Sequence, residues 1–374
     1  MPEWSSAGIE VPSSLNLEQC SSTATAQYKA GVLERAWGRI GAGPMRVADL
    51  TGGLGVDSWA FSRVAAAVLY NERVGTLAGA VERNFGRLGM DNVRFMSCDA
   101  CDAAGGLSSG MKAALADFAP HAIFADPARR DGVGRKVFRL EDCTPNVLGM
   151  MPELLETAPL VLLKLSPMAD ISLVARQLSE CCMASVGRTC VREIHVVGLG
   201  GECKELLVLI DRDFDAPYSM TVAENGRSFC FSPSDEAECR IVLPEALPGP
   251  GDTLFEPSAS LVKSGFMKLP CVRWNMLKLA QSTHLYICAG EPAEECRSFG
   301  KVFSVLEVLP LNKASMKDVG RRYPKAAVSA RNIPMGSDEL ASRMGVVAGS
   351  DVHIFACSVT AGAATEKIMI VSAR

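Results

Sequence analysis

Histidine and aromatic side chains are scarce in this 374-residue chain, which holds four histidines and 6% aromatics. An imidazole-built site is therefore not expected, and the sequence predicts no metal. The formal net charge of −4 supplies no global basic field, so any contact with nucleic acid must come from local patches. No apolar run reaches the ~18 residues of a membrane span. Met1 to Gln19 shows no charged segment followed by an apolar one, so no signal peptide is read and a soluble cytoplasmic protein is expected. In that setting fourteen cysteines read as reduced, mostly buried thiols rather than a disulfide framework. The single C-x-x-C, Cys98 to Cys101, has no second pair at zinc spacing.

What the chain does have is 48% apolar residues, enough for two cores, and one stretch that organises the rest. From Val47 to Asp57 an apolar run ends in Asp49, Gly52, Gly53 and Gly55 follow, and an apolar amphipathic segment continues from Ser58 to Val68. This predicts a buried strand, a tight turn and a helix. The glycines permit positive φ and close approach of a ligand, and the helix offers N–H groups at its start. A dinucleotide site wants G-x-G-x-x-G. Here the order is acid, Thr51, then G-G-x-G, which suits a sulfonium donor derived from methionine: Asp49 can take its ammonium and the glycines admit its adenosine. A glycine turn without a ligand explains the same residues on motif grounds alone.

The downstream alternation decides between them. Residues 66–72 read as a helix end followed by the second strand, and further strands are expected at 92–99, 122–125 and 160–165, with helices at 76–88, 111–118, 147–157 and 171–183 between or after them. A hairpin closes the series, its strands at 191–197 and 206–210 joined through Gly198 to Gly201. Glu72 lies 23 positions beyond Asp49, where an acid closing the second strand reaches ribose hydroxyls. Asp99 and Ala100 fall where an adenine would lie. An Asn225-Gly226 hairpin and a Pro/Gly-rich stretch at 247–252 follow. Strands at 302–309, 326–331, 352–358 and 368–372 with a helix at 337–344, capped by Ser337, predict a small α+β domain. The boundaries expected are a helical lead-in over 1–45, an α/β domain over 46–213, a hairpin and linker over 214–251 and the α+β domain over 252–374.

Four motifs in this order carry a family resemblance: Glu18 to Ser22 with Thr25 to Ala30, Asp49 to Gly55, Asp126-Pro127-Ala128-Arg129-Arg130-Asp131, and Arg331-Asn332-Ile333-Pro334. Together they resemble the bacterial class I S-adenosylmethionine-dependent methyltransferases with a C-terminal THUMP-like domain. The resemblance implies a seven-stranded Rossmann-like domain, S-adenosylmethionine as cofactor, and an RNA substrate engaged through the THUMP-like module. It places the donor on Asp49, Thr51, Gly52, Gly53, Gly55, Asp57, Glu72, Asp99 and Ala100. The family usually carries further helices ahead of this start, so Met1 is expected to begin a shortened form.

Two acceptor chemistries are open. Base N-methyltransferases end the fourth strand in Asp or Asn, then Pro-Pro-aromatic. Asp126 and Pro127 match, while Ala128 and Arg129 replace the second proline and the stacking ring. Ribose 2′-O-methyltransferases use Lys, Asp, Lys and Glu at places comparable to Lys29, Asp126, Lys164 and Glu205, where a lysine of lowered pKa would take the hydroxyl proton. Lys29 as a solvated helix residue and Lys164 as a snorkelling strand-end lysine remain the bland reading. Cysteine-based C5 chemistry ranks low, because Ser166-Pro167 stands where a thiol is needed. Two basic stretches are candidates for RNA phosphates: 129–139, with Arg129 and Arg130, and 313–331, with Arg321, Arg322, Lys325 and a stacking Tyr323. A small-molecule methyltransferase and a non-catalytic RNA-binding protein keeping the fold are the competing functions, and the closing hairpin argues against a dinucleotide oxidoreductase.

Overall fold

The computed structural model describes Trp4, residues 8–128 and residues 140–374. It divides into two compact units, Met1–Val197 with Lys204–Ser228, and Gly198–Cys203 with Phe229–Arg374.

In the first unit, helices α1 (Ser14–Gln19) and α2 (Thr23–Ile40) precede strand β1 (Arg46–Asp49). Ser22 caps α2 by accepting the Thr25 N–H. Then follow α3 (Val56–Ser62), β2 (Ala67–Asn71), α4 (Gly75–Arg87), β3 (Val93–Met96), α5 (Ser109–Phe118), β4 (Ala122–Ala125), α6 (Val147–Thr157), β5 (Leu160–Leu165) and α7 (Ile171–Val186). Strands β6 (Val191–Leu199), β7 (Glu202–Asp211), β8 (Ser219–Glu224) and β9 (Arg227–Phe231) complete a nine-stranded sheet, in the order β3-β2-β1-β4-β5-β7-β6-β8-β9, two strands more than the seven expected. Strands β1 to β5 run parallel and β7 runs antiparallel to β5. The order reverses between β1 and β4, and in such sheets ligands gather beyond the carboxyl ends at that switch point.

Two expected elements are shorter than their patterns. The helix after the glycine turn stops at Ser62, not Val68, because the Ala66 N–H is already bonded to the Met45 carbonyl at the approach to β1. The third strand stops at Met96, not Asp99. Beyond it the Cys98 N–H donates to the Asn71 side chain instead of a neighbouring strand.

In the second unit a seven-stranded sheet runs in the order β11-β12-β10-β13-β16-β15-β14. Its strands are β10 (Thr253–Pro257), β11 (Met276–Ala280), β12 (Thr283–Cys288), β13 (Gly300–Pro310), β14 (Ala327–Arg331), β15 (Val352–Ala361) and β16 (Ala364–Ala373). Preceding β10 are β9 (Arg227–Phe231), which returns from the Asn225-Gly226 turn, and α8 (Pro233–Glu238). Helices α9 (Ala259–Lys263), α10 (Leu269–Arg273), α11 (Lys313–Arg322) and α12 (Ser337–Met344) complete the unit. Alternation splits β15 and β16 between two cores: Phe355, Cys357, Ile368 and Ile370 in one, Ile354, Ala356, Met369 and Val371 with the apolar faces of α11 and α12 in the other. Three strands, β10 to β12, were not legible in the sequence. Nor was α11, whose charge run masks the buried Met316, Val319 and Gly320. Ser337 is not the cap of α12. Gly336 holds that position, and Ser337 Oγ accepts the Ala330 N–H.

Candidate active site

The first-unit site residues converge because alternation and register put them on one sheet face. Ala125 pairs with Leu163 and Lys164 with Leu207, so Asp126, Lys164 and Glu205 emerge on the same side. There Lys164 Nζ donates to Asp126 Oδ2 at 2.5 Å. Helix α2 brings Lys29 to the same cluster, where its ammonium meets both Glu205 oxygens at 2.8 and 2.9 Å, Ser21 Oγ at 3.1 Å and Asp57 Oδ1 at 3.1 Å. Ser21 in turn donates to Asp57 Oδ2 at 2.8 Å. The four residues of the ribose-type tetrad are thus gathered as two ion pairs.

Their roles differ from the sequence expectation. Lys29 is not solvated; its side chain is fully buried and cannot reach an acceptor. Lys164 does not have a lowered pKa. Burial alone would lower it, but Asp126, Asp57 and Glu205 outweigh burial and hold the ammonium in its charged form. It therefore serves as a hydrogen-bond donor and fixed cation, not as a base. Burial pushes the Glu205 carboxyl up despite Lys29 and Lys164. Asp126 and Lys164 keep 35% and 14% of their side chains exposed, so this pair is the part of the cluster that an acceptor can touch.

The glycine turn is built on Asp49. Its carboxylate accepts the Thr51 N–H at 3.0 Å and the Ser58 hydroxyl at 2.5 Å, and burial pushes its pKa up to about 7. Thr51 Oγ1 accepts the Asp126 N–H at 2.7 Å, tying this turn to the end of β4. The three glycines have separate reasons. A Cβ on Gly52 would lie 2.1 Å from the Tyr70 ring, and one on Gly55 2.7 Å from Val81 Cγ1, so internal packing alone already requires glycine at both positions. Gly53, at φ +52, is different: a Cβ there would point into open space, with Thr51 O at 4.0 Å its nearest neighbour. That opening, with the Glu72 carboxylate on the Gly53 N–H, fits a cationic nucleoside donor.

Glu72 is half-buried and accepts the Gly53 and Val74 N–H groups at 3.1 and 2.9 Å, leaving lone pairs for a diol. Asp99 is exposed beyond β3 and Ala100 beside it is buried. Asp57, expected at the donor, is committed to Lys29 and Ser21 instead. Pro127 is buried and Ala128 exposed. Arg129 and Arg130, with the basic stretch they begin, lie outside the described residues.

Three contributors had no role assigned from the sequence. Ser21, in the Glu18–Ser22 motif, bridges Lys29 and Asp57. Asn71 bonds Leu50 O, Cys98 O and the Cys98 N–H, locking the ends of β1 and β2 to the loop after β3. Tyr28 OH meets His195 Nδ1 at 2.9 Å, and His195 Nε2 lies 3.1 Å from Glu193, which pairs with Arg39. This chain, buried at His195, fixes α2, and with it Lys29, against β6; nothing but its place beside Lys29 could have signalled it.

In the second unit, Arg322 is occupied by Glu307 at 2.5 and 3.0 Å and by Asp318 at 2.9 Å, while Arg331 is held by Glu256 at 2.8 Å. Glu307 and Glu256 lie outside the sequence window that read as basic. Tyr323 packs on the core of α11 and α12 with Arg322 over its ring, so it is not a free stacking platform. Arg321 bonds Asp318 but keeps 81% of its side chain exposed, and Lys325 is exposed. Seven cysteines are buried and the others at least partly exposed, so the thiols are less uniformly interior than expected. Among the described residues no helix is long and apolar enough to cross a membrane.

Residues 254–293 match a family described as a ferredoxin-like domain, and residues 300–374 one described as THUMP domain-like. No curated protein sequence matches the chain. Among solved structures, a Porphyromonas gingivalis W83 protein described as a candidate methyltransferase is 27% identical, with a TM-score of 0.81, over 100% of this chain and 86% of its own. A SAM-dependent methyltransferase of Agrobacterium tumefaciens is 21% identical over 50% of this chain and 61% of its own, with a TM-score of 0.34. A tRNA (m1A58) methyltransferase of Aquifex aeolicus is 15% identical over 55% of this chain and 72% of its own, with a TM-score of 0.31. The expected architecture, a Rossmann-like methyltransferase domain followed by a THUMP-like one, is borne out.

Proposed function

We propose that this chain, a class I S-adenosylmethionine-dependent methyltransferase with a C-terminal THUMP-like domain, methylates RNA on a ribose 2′-hydroxyl. The observation that carries the acceptor assignment is the partly exposed Lys164–Asp126 pair beside the glycine turn. The RNA assignment rests on the THUMP-like match.

S-adenosylmethionine, when bound, supplies an electrophilic methyl on a sulfonium. Asp49, Thr51, Gly53, Glu72, Asp99 and Ala100 are the residues that would hold it. Because the displacement is in line, the protein's main task is to position the acceptor and orient its lone pair. Lys164, kept as an ammonium, donates to the acceptor oxygen and favours its developing negative charge. Asp126, with one oxygen on Lys164, receives the hydroxyl proton on the other as the C–O bond forms and the C–S bond breaks. Lys29 acts at one remove, holding Glu205 and Asp57 beneath the pair. Exposed Ala128 offers no ring for stacking a base, which weighs against exocyclic-amine transfer. Transfer of labelled methyl to RNA, with identification of the modified nucleoside, tests the proposal.

A further inference from the structure

Three consecutive residues at the end of β2 hold the glycine turn. Asn71 O accepts the Gly52 N–H at 2.7 Å, Glu72 Oε2 accepts the Gly53 N–H at 3.1 Å, and the Tyr70 hydroxyl donates to the Gly53 carbonyl at 2.6 Å. Gly53 is therefore gripped at both its N–H and its C=O, by two side chains that strand alternation puts on one face. It is also the turn residue beside which a Cβ would meet open space, the opening assigned to the donor.

Tyr70 is fully buried. Its ring fills the space that a Gly52 Cβ would need and packs against Phe95 of β3, with ring centroids 5.4 Å apart. Phe95 in turn meets Phe85 of α4 edge-on at 5.5 Å. A ring wedged in this way aims its hydroxyl at one carbonyl. Burial, with Glu72 and Asp49 nearby, pushes the phenol above its ordinary value, so the hydroxyl keeps its proton and goes on donating.

We infer that Tyr70 is a positioning residue for the methyl donor: through its bond to the Gly53 carbonyl it keeps the turn in its ligand-receiving shape before the donor arrives. The inference rests on the donor reading above and deepens it. Without the hydroxyl, the Gly53 carbonyl turns to water and the grip of Glu72 on the N–H acts alone. The turn then spends part of its time in other conformations, and apparent donor affinity falls by the fraction of molecules that keep its shape.

Tyr70→Phe keeps the ring and removes only the hydroxyl. Calorimetric titration of this variant, as the full chain, with S-adenosylmethionine and with S-adenosylhomocysteine should show both affinities lowered about fivefold, the equivalent of one partly buried hydrogen bond. Hydrogen exchange without ligand should quicken by a similar factor, about fivefold, over residues 50–56 and stay unchanged over β4 and β5. In the intact chain those turn amides should be protected before any ligand is added, a measurement that does not depend on the variant folding. Val161→Ala, at a buried position on β5, is the control for lost stability: it should melt earlier yet keep donor affinity and turn exchange within about twofold. Unprotected turn amides in the ligand-free intact chain overturn the inference. So does donor affinity in Tyr70→Phe within about twofold of the intact chain, or equal weakening in Val161→Ala. Failure of the intact chain to bind either ligand overturns the donor reading on which the inference stands.

Discussion

Lys164 on β5 and Asp126 at the end of β4 meet at 2.5 Å on one sheet face, and theirs is the partly exposed ion pair of the buried cluster. With the ammonium held charged by surrounding carboxylates, Lys164 stabilises charge on the acceptor rather than removing its proton. Lys164→Met is therefore expected to slow methyl transfer to RNA by on the order of 10²-fold, the effect of losing one preorganised donor, while donor binding persists. Single-turnover transfer measured beside donor calorimetry checks this. Full-rate transfer by the variant would remove Lys164 from the chemistry.

Asp49 gives a pH signature whose sign follows from burial. Its folded pKa of about 7 stands above the ordinary 3.8, so its contribution to stability is complete below the unfolded value and is lost as pH rises through about 7. The ligand-free protein should melt at a lower temperature at pH 8 than at pH 6, and Asp49→Asn should flatten that part of the profile. Ionised Asp49 also attracts a cationic donor, so donor affinity should rise over the same interval in the native chain and not in the variant. Superimposable profiles for the two proteins would contradict the assignment.

Neighbouring glycines should respond in opposite ways. Gly52→Ala drives a methyl into the Tyr70 ring and should lower the melting temperature markedly. Gly53→Ala meets nothing, so it should cost only about 1–2 kcal/mol for the left-handed backbone. Its added methyl fills the cradle and should weaken donor binding at least tenfold in a folded protein, or roughly 1.4 kcal/mol. Thermal melts and calorimetry on both variants separate the two effects; unchanged donor affinity in Gly53→Ala would place the ligand elsewhere.

On α11, Arg321 and Arg322 are adjacent in sequence and different in circumstance. Arg322 is engaged by Glu307 and Asp318, whereas Arg321 projects into solvent. Arg321→Glu should weaken RNA binding and reduce its salt dependence, and Arg322→Gln should leave RNA affinity within about twofold. Equal losses for both variants, read from binding curves at several salt concentrations, would refute the distinction.

How much of this was legible beforehand varies along the chain. Strands β4 and β5 and helix α6 have the bounds their apolar runs indicated, because nothing in the tertiary structure competes with those patterns. Strands β10 to β12 escaped notice because short apolar runs beside Pro/Gly-rich sequence do not declare their pairing partners. In the site, residue type and position at strand ends indicated Asp126, Lys164 and Glu205, and register explains why they share a face. Burial was not legible. Lys29 is the innermost member of the cluster and Asp57 its partner, and no local pattern distinguishes such a lysine from a solvated one. Glu307 and Glu256 neutralise arginines from distant strands, a long-range pairing invisible to a count of neighbouring charges.

The most direct test of the acceptor assignment is alkaline hydrolysis of RNA after transfer of labelled methyl by the full chain. A 2′-O-methyl group blocks cleavage at its own phosphodiester, so the label should appear in alkali-resistant dinucleotides and be lost with Lys164→Met. Label in single nucleotides carrying a methylated base, or donor binding with no label in any RNA, would contradict the account.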